Sequence, residues 1–395
     1  MSDAATGSPL VILGASTRAA AWSAIDSGLQ PRCADLFADS DLVRVATAFA
    51  VPEYPDGLIN AARTLGAHVG SPCPWMYTGA LEHHIETIEA LGRMTERGEL
   101  GPLLGNGPDV LRRVRDPFWV NETCRRHGLP CPAVQPLDNP PPADGTWLLK
   151  PVARHPGQTI SRWNGMQPQT GGWVFQEWKA GESFSAACVG SGGSARVLGI
   201  TRQLVGLPGF HAPEWGWCGS VGPISPGLEI TRHVDLLAET LARESGLTGL
   251  FGIDLVVDDA ITWPIEINPR YTGSMEVIER ATGLSMIGEH VRASGAAAVP
   301  DRGNPCAPVA QQRHAGCLVG KGILFAPRDG FLDRAPSAGP TWDVADVPVP
   351  GSLVQAGNPV CSVLVRGTSV ADVQQRLAAS CAAIEHQALP DHSDR

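Results

Sequence analysis

Ten cysteines occur in this 395-residue chain, yet no two are spaced as a CxxC pair. The common zinc and dithiol redox motifs are therefore excluded, and the cysteines read as reduced, buried, small hydrophobes of a cytosolic enzyme. Basic residues are few, 30 Lys and Arg against 40 Asp and Glu, for a formal net charge of -10. A general nucleic-acid binder needs a basic face, so that class is excluded; a local cationic site for a small anion is not. No apolar run is long enough to span a membrane. The opening residues, MSDAATGSPL, have no basic region leading into an apolar core. No secretory signal is expected, the expected location is cytoplasmic, and the sequon Asn121-Glu122-Thr123 is accidental. His83-His84 with Glu86 fits no zinc spacing and reads as an exposed helix face.

The 43% of hydrophobic residues can fill a core, and the length predicts two or three domains. Residues 9–16, PLVILGAS, read as a buried parallel strand ending at Gly14, with a helix over Thr17–Ser27 stopped by Gly28. A strand follows at about Gln30–Ala34, then short strands near Val43–Thr47 and at His68–Val69, with a helix over about 57–65 between them. This βαβ order predicts a small parallel α/β domain. Its first turn, Gly14-Ala15-Ser16-Thr17-Arg18, lacks the second and third glycines of the dinucleotide fingerprint. A nicotinamide-dependent oxidoreductase is thus an alternative from another class that the missing glycines count against. Gly14 and Ser16 serve either a tight strand-to-helix turn or a ligand. Trp75–Gly79 reads as a loop before a helix over 80–97.

The glycine- and proline-rich stretch 102–108 marks a boundary. Helices are expected over 109–115 and 117–128, then a proline-rich linker over 130–145. The strand Thr146–Pro151 ends on Lys150, which either snorkels out or meets a phosphate. The loop after it carries Arg154. Strands follow at 172–178 and 184–189, and Gly190–Ala195 reads as a hairpin turn. Residues 208–227 read as a long loop of the lid or binding kind, before helices over 228–244 and 274–282. A linker over 296–308, a strand pair over 315–325, strands at 342–350 and 359–365, a helix over Val370–Ile384 and a disordered tail complete the chain. The string Gly316–Gly322 has too few residues between its glycines for a phosphate-binding P-loop and lacks the Ser/Thr after Lys321.

The stretch carrying most chemistry is Phe251–Arg270, FGIDLVVDDAITWPIEINPR, two strands by their period-two alternation. Phe251, Ile253, Leu255 and Val257 form one oily face, continued by Ile261, Trp263, Ile265 and Ile267. Placing Ile253 opposite Ile265 puts Asp254 opposite Pro264 and diagonal to Glu266, so Asp254, Glu266 and Asn268 share the polar face. A two-residue turn would send Asp254 to the other face, so an odd loop is expected around Asp258, Asp259 and Ala260. Hard oxygen ligands in such a cluster suit Mg²⁺ bridging carboxylates to nucleotide phosphates.

In order and spacing, Lys150, Glu177, Glu182, Asp254, Glu266, Asn268 and Arg270 resemble the ATP-grasp superfamily over roughly residues 1–380. Asp346-Val347-Pro348 and Gly357-Asn358-Pro359-Val360 are similar to the ending of its biotin-carboxylase-like, carboxylate–amine ligase branch. The resemblance implies a mixed α/β and α+β fold. It would have an N-terminal parallel α/β domain (1–108), an ATP-grasp domain with antiparallel sheets (109–298), a C-terminal β-rich segment packing on it (299–388) and a tail (389–395). It implies ATP and Mg²⁺ (or Mn²⁺) as cofactors. Lys150 and Arg154 would meet the phosphates, Gln176, Glu177 and the backbone near Trp178 the adenine, and Glu182 the ribose. Asp254, Glu266 and Asn268 would hold the metal, while Arg270, with Lys150, would act on the transferred phosphoryl group. The implied activity is an ATP-dependent ligase that activates a carboxylate as an acyl phosphate for attack by an amine; a bicarbonate-using carboxylase is the alternative. A non-catalytic nucleotide-binding subunit is a further reading that the intact metal ligands argue against. The implied partners are small-molecule carboxylates and amines, with no nucleic acid or membrane and with a homodimer allowed. The chain also looks similar to ATP-grasp proteins linked to tetrahydromethanopterin one-carbon metabolism, which implies a glutamate-type ligation in cofactor assembly. Two departures stand out. Pro117 occupies the place of a family lysine, with Arg112, Arg113 and Arg115 as candidate substitutes, and the phosphate-covering loop around Arg154 is poor in glycine.

Overall fold

The computed structural model describes residues 7–67, 72–152, 159–166, 168, 172–259, 261–295 and 317–389. Arg154, the strand expected at His68–Val69, the linker over 296–308 and the tail from 390 lie outside them. The chain opens with β1 (Pro9–Leu13), α1 (Arg18–Asp26), β2 (Gln30–Asp35), α2 (Ser40–Val43), β3 (Thr47–Ala50), α3 (Gly57–Ala67), β4 (Trp75–Tyr77) and α4 (Ile85–Glu96). β1 is parallel to both β2 and β4, in a four-stranded sheet of order β3-β2-β1-β4. The strand expected near Val43–Thr47 begins later, at Thr47, because Ser40–Val43 is helical. Trp75–Tyr77 is an edge strand of the sheet rather than a loop; its three buried side chains occupy both faces, which three residues are too few to show by periodicity. A Cβ on Gly14 would fall 2.1 Å from Thr78 Oγ1, so close packing between the ends of β1 and β4 requires glycine there.

α5 (Pro108–Val114) and α6 (Pro117–Arg126) follow. Asp116 caps α6 by accepting from Phe118 N, with Pro117 in the first turn. A small antiparallel sheet, β5-β8-β6-β7, is built from β5 (Val134–Pro136), β6 (Trp147–Pro151), β7 (Ser161–Arg162) and β8 (Trp173–Glu177). The remaining elements are β9 (Glu182–Ser191), β10 (Ser194–Val205), β11 (Trp217–Gly222), α7 (Leu228–Ser245), β12 (Gly249–Asp258), β13 (Ile261–Asn268), α8 (Gly273–Thr282), α9 (Met286–Ala293), β14 (Leu318–Phe325), β15 (Gly330–Phe331), β16 (Trp342–Ala345), β17 (Leu353–Val354), β18 (Pro359–Gly367) and α10 (Val370–Ala388). Eight of the strands make one antiparallel sheet of order β13-β12-β9-β10-β11-β14-β18-β16. The expected loop over 208–227 therefore contains a strand, β11, bonded to both β10 and β14. The expected pair over 315–325 is the single strand β14, and the last helix runs past Ile384 to Ala388. α7 covers one face of this sheet with Val234, Leu237 and Leu241 against Phe251, Ile253 and Leu255. On the other side Met275 and Ile278 of α8 join Leu10 and Ile12 of β1 in one apolar cluster. The helix that follows the acidic hairpin is thereby packed onto the N-terminal sheet, and the two regions meet at the hairpin's open end.

Candidate active site

In the β12–β13 hairpin, Ile253 pairs with Ile267 and Asp254 pairs directly with Glu266. Asp258 pairs with Ile261, so only residues 259 and 260 connect the strands, and Asp259 adopts φ 51°. The odd loop and the Ile253–Ile265 register are both corrected. The register shifts instead between Asp254 and Leu255, where Leu255 faces Pro264 and Ile265 is the extra residue. A β-bulge does the work that an odd loop was expected to do: one added residue restores the face on which Asp254 meets Glu266. Its cost is that Ile261 and Trp263 leave the oily face. Trp263 pairs with Val256 instead, and its ring lies 4.0 Å from Lys179 Nζ.

Asn268 Nδ2 donates to Asp254 Oδ2 at 3.0 Å, and Gln203 Nε2 donates to Oδ1 at 2.9 Å. Burial, with the neighbouring Glu266 charge added, pushes Asp254 up to about 6. Glu266 accepts from Arg115 Nη1 at 2.7 Å, and Arg115 also donates to Ile267 O at 3.1 Å. Of the three candidate arginines only Arg115 arrives here. Arg112 pairs with Asp109 and Glu89 at the surface, and Arg113 donates to Ser245 O.

Arg270, which the resemblance places at the transferred phosphoryl group, has Glu82 as its ion-pair partner. Its Nη2 lies at 2.6 Å and its Nε at 2.9 Å from Glu82 Oε1, and it also donates to Asn268 Oδ1 at 3.1 Å. Burial opposes the charge on Arg270, but Glu82, Glu266 and Asp254 outweigh it and raise its value. Glu82 is itself 2% exposed, and burial is again outweighed there by Arg270, which lowers it. His83, expected on an exposed helix face, has a side chain only 9% exposed, and its Nδ1 lies 3.4 Å from Arg115 Nη2. Burial and then Arg115 lower its pKa to about 4, so it is neutral at physiological pH. Nothing in local periodicity marks Glu82 and His83 as site residues, because they arrive from the far end of β4 through tertiary packing.

Lys150 Nζ reaches Ile265 O at 2.7 Å and Gln176 Oε1 at 3.4 Å. It lines a narrow cleft of about 60 Å³ between the small sheet and the hairpin, together with Gln176, Arg115 and Glu266. Glu177, Trp178 and Glu182 lie outside that cleft. Glu177 bonds Lys179 at 2.6 Å and accepts from Ala133 N, Trp178 is stacked under Arg162 at 3.8 Å, and Glu182 pairs with Arg202 at 2.7 Å. On the other side of the hairpin opens a cavity of about 710 Å³ lined by Asp254, Glu266, Asn268 and Arg270. Ser16, Thr78, Trp217 and Thr272 line it too, so the N-terminal turn, the end of β4, the 208–227 stretch and the residues after the hairpin share one wall. Glu266 borders both spaces. Two buried polar atoms at this junction have no hydrogen-bond partner among the described residues, Glu82 Oε2 and Arg115 Nε. Two opposed carboxylates and an amide oxygen form a hard-oxygen donor set that fits Mg²⁺ with a phosphate-bearing ligand.

Residues 115–274 match the ATP-grasp domain family. Over 96 residues the chain is 34% identical to the carbamoyl phosphate synthase large chain of Neisseria gonorrhoeae, a stretch covering 24% of this chain but only 9% of that protein. The L-amino acid ligase of Bacillus licheniformis superposes with a TM-score of 0.69 at 13% identity, over 96% of this chain and 98% of that one. The biotin carboxylase domain of the Hydrogenobacter thermophilus 2-oxoglutarate carboxylase, solved with MgADP and bicarbonate, superposes with a TM-score of 0.68 at 16% identity, over 94% and 89%. No helix among the described residues is long and apolar enough to cross a membrane. Residues 115–274 are thus similar to an ATP-grasp domain, and the chain shares its overall fold with these ligase and carboxylase structures.

Proposed function

We propose that this protein is an ATP- and Mg²⁺-dependent ligase that activates a carboxylate as an acyl phosphate and passes the acyl group to an amine, with residues 109–298 as the nucleotide- and metal-holding unit. The observation that carries the reading is the Asp254–Glu266 pair, set between the cleft holding Lys150 and Arg115 and the large cavity. Asp254, Glu266 and Asn268 would hold Mg²⁺, which when bound supplies neutralisation of phosphate charge. Lys150 and Arg115 offer cations to the phosphates. Gln176, Glu177 and the Trp178 backbone would hold the adenine, and Glu182 the ribose. Arg270, kept charged by Glu82, stands on the cavity side, where a transferred phosphoryl group meets the carboxylate. Phosphoryl transfer is largely positioning and charge stabilisation, which is what this arrangement provides.

A carboxylase using bicarbonate is the second reading, favoured by the likeness to the MgADP- and bicarbonate-bound carboxylase domain. ADP release measured with Mg²⁺ across pools of amino acids, amines and bicarbonate separates them. ADP that appears only when a carboxylate and an amine are supplied together supports the ligase, whereas dependence on bicarbonate replaces it with the carboxylase. NAD(H) binding without ATP binding sinks both. A cytoplasmic homodimer completes the proposal, on the same likeness to a dimeric carboxylase domain.

A further inference from the structure

The large cavity has a second polar wall that the proposed phosphoryl chemistry does not use. Asp39, at the start of α2, lines it and is only 7% exposed. An aspartate at a helix start ordinarily accepts from first-turn N–H groups, yet the Asp39 carboxylate makes no cap bond and has no hydrogen-bond partner among the described residues. The neighbouring carboxylates are all engaged. Asp35 accepts from Thr17 N and Oγ1 and from Phe37 and Ala38 N; Asp41 accepts from Asp346 N and Val347 N; Asp346 accepts from Arg18 and Ser362. Burial pushes Asp39 up to about 8, with Asp346, Asp35 and Asp41 adding to the rise and Arg18 opposing it. The Asp39 carboxyl opens onto the cavity without a protein partner among the described residues, and a cation on a ligand would favour its ionised form. Phe37, Val349 and Leu353 line the same cavity and are 48%, 56% and 60% exposed, an apolar rim beside the acid.

We propose that Asp39 receives the ammonium group of an organic amine whose apolar body rests on Phe37, Val349 and Leu353. The inference rests on the ligase reading, because it makes this cavity the pocket of the amine-bearing substrate. It names that substrate's class as a cationic amine with an apolar body, and Asp39 as a recognition contact that sets specificity.

Benzylamine, benzyl alcohol and benzoate, which differ in charge but little in shape, test it by calorimetric titration of the full-length protein. At about pH 8.5, above the raised value of Asp39, the wild type should bind the cation about tenfold or more tighter than the alcohol, the worth of one charge-assisted contact, and the anion least. Asp39→Asn should abolish that preference while leaving binding of a fluorescent ADP analogue with Mg²⁺ unchanged. Phe37→Ser should weaken benzylamine and benzyl alcohol alike and keep the preference, which preserves the test if Asp39→Asn fails to fold. A wild type without preference for the cation, undetectable benzylamine binding, or an Asp39→Asn protein that still prefers it overturns the proposal. Failure of the wild type to bind the ADP analogue would instead strike the ligase reading, a separate outcome.

Discussion

Two clusters of buried charge lie on the wall of the same cavity, and they are built on opposite principles. In one, Glu276 of α8 takes Arg18 of α1 at 2.5 and 2.9 Å and Lys321 of β14 at 2.7 Å, while Asp346, just past β16, takes Arg18 at 2.9 and 3.0 Å. Burial would raise both acids, but the adjacent cations hold Glu276 well below the usual carboxylate range and bring Asp346 down to about 2. In the other, Asp254 faces Glu266, a like charge, and is pushed up to about 6, while Glu82 Oε2 and Arg115 Nε have no hydrogen-bond partner among the described residues. The first cluster is closed and ties three parts of the chain together. In the second, two like charges face each other on the cavity wall. Strong perturbation alone does not distinguish a working site from a structural one; the sign of the perturbation and the unmatched atoms do.

Glu266→Gln should break the comparison most. Removing one of the two carboxylates proposed to hold the metal is expected to lower ADP formation by about 10³-fold, roughly 4 kcal/mol of transition-state stabilisation, with the thermal midpoint close to wild type. Activity within a few-fold of wild type would remove the metal role of the hairpin. Glu276→Gln acts on the closed cluster, where Arg18 and Lys321 would be left facing a neutral amide. The expected cost is about 3 kcal/mol of stability, read from urea unfolding. If Glu276→Gln is as stable as wild type, the cluster is not the tie described here.

The contrast also shows what could be read before the fold was known. The β12–β13 hairpin was legible because Phe251, Ile253, Leu255 and Val257 recur at every second position, and these residues do pack under α7. Its register was not, because a bulge at Ile265 is an irregularity in hydrogen bonding that leaves the composition of the strand unchanged. The parallel N-terminal sheet followed from its βαβ order, but the three-residue strand β4 was too short to carry a period. Glu82 and His83 were illegible as site residues because only the packing of β4 beside β1 brings them to Arg270 and Arg115. The closed cluster was equally hidden. Arg18, Glu276, Lys321 and Asp346 are hundreds of residues apart at the extremes, and no local pattern pairs them.

Arg115 sharpens the comparison from the open side. It stands two residues before Pro117, has one nitrogen on Glu266 and leaves Nε without a partner among the described residues. An arginine held this way offers a spare donor to a phosphate oxygen. Arg115→Ala should weaken nucleotide binding by about 10- to 30-fold, near 2 kcal/mol for a lost charge-assisted bond, measured with the fluorescent ADP analogue. Arg112→Ala, removing a surface pair, should change nothing measurable.

The smallest effect separates the clusters by pH. Asp254 is raised to about 6 when folded, above its unfolded value near 3.9, so folding favours its protonated form. Its ionised form is the one a metal requires. Mg²⁺ affinity should therefore be level above about pH 7 and fall by about tenfold per unit below pH 6, 1.4 kcal/mol for each unit. For the apo protein the same shift means that ionising Asp254 costs stability as pH rises from about 4 to 6, a cost that Asp254→Asn should remove. Asp346 has the opposite sign. Lowered to about 2, it contributes stability that is complete above about pH 4 and lost as pH falls through 2. Between pH 7 and 5, then, Mg²⁺-dependent stabilisation should fade while the closed cluster holds. Thermal shifts with and without Mg²⁺ at each pH read both at once. A Mg²⁺ response that stays flat from pH 8 to 5, or one that persists unchanged in Asp254→Asn, would mean that the facing carboxylates are not where the metal binds.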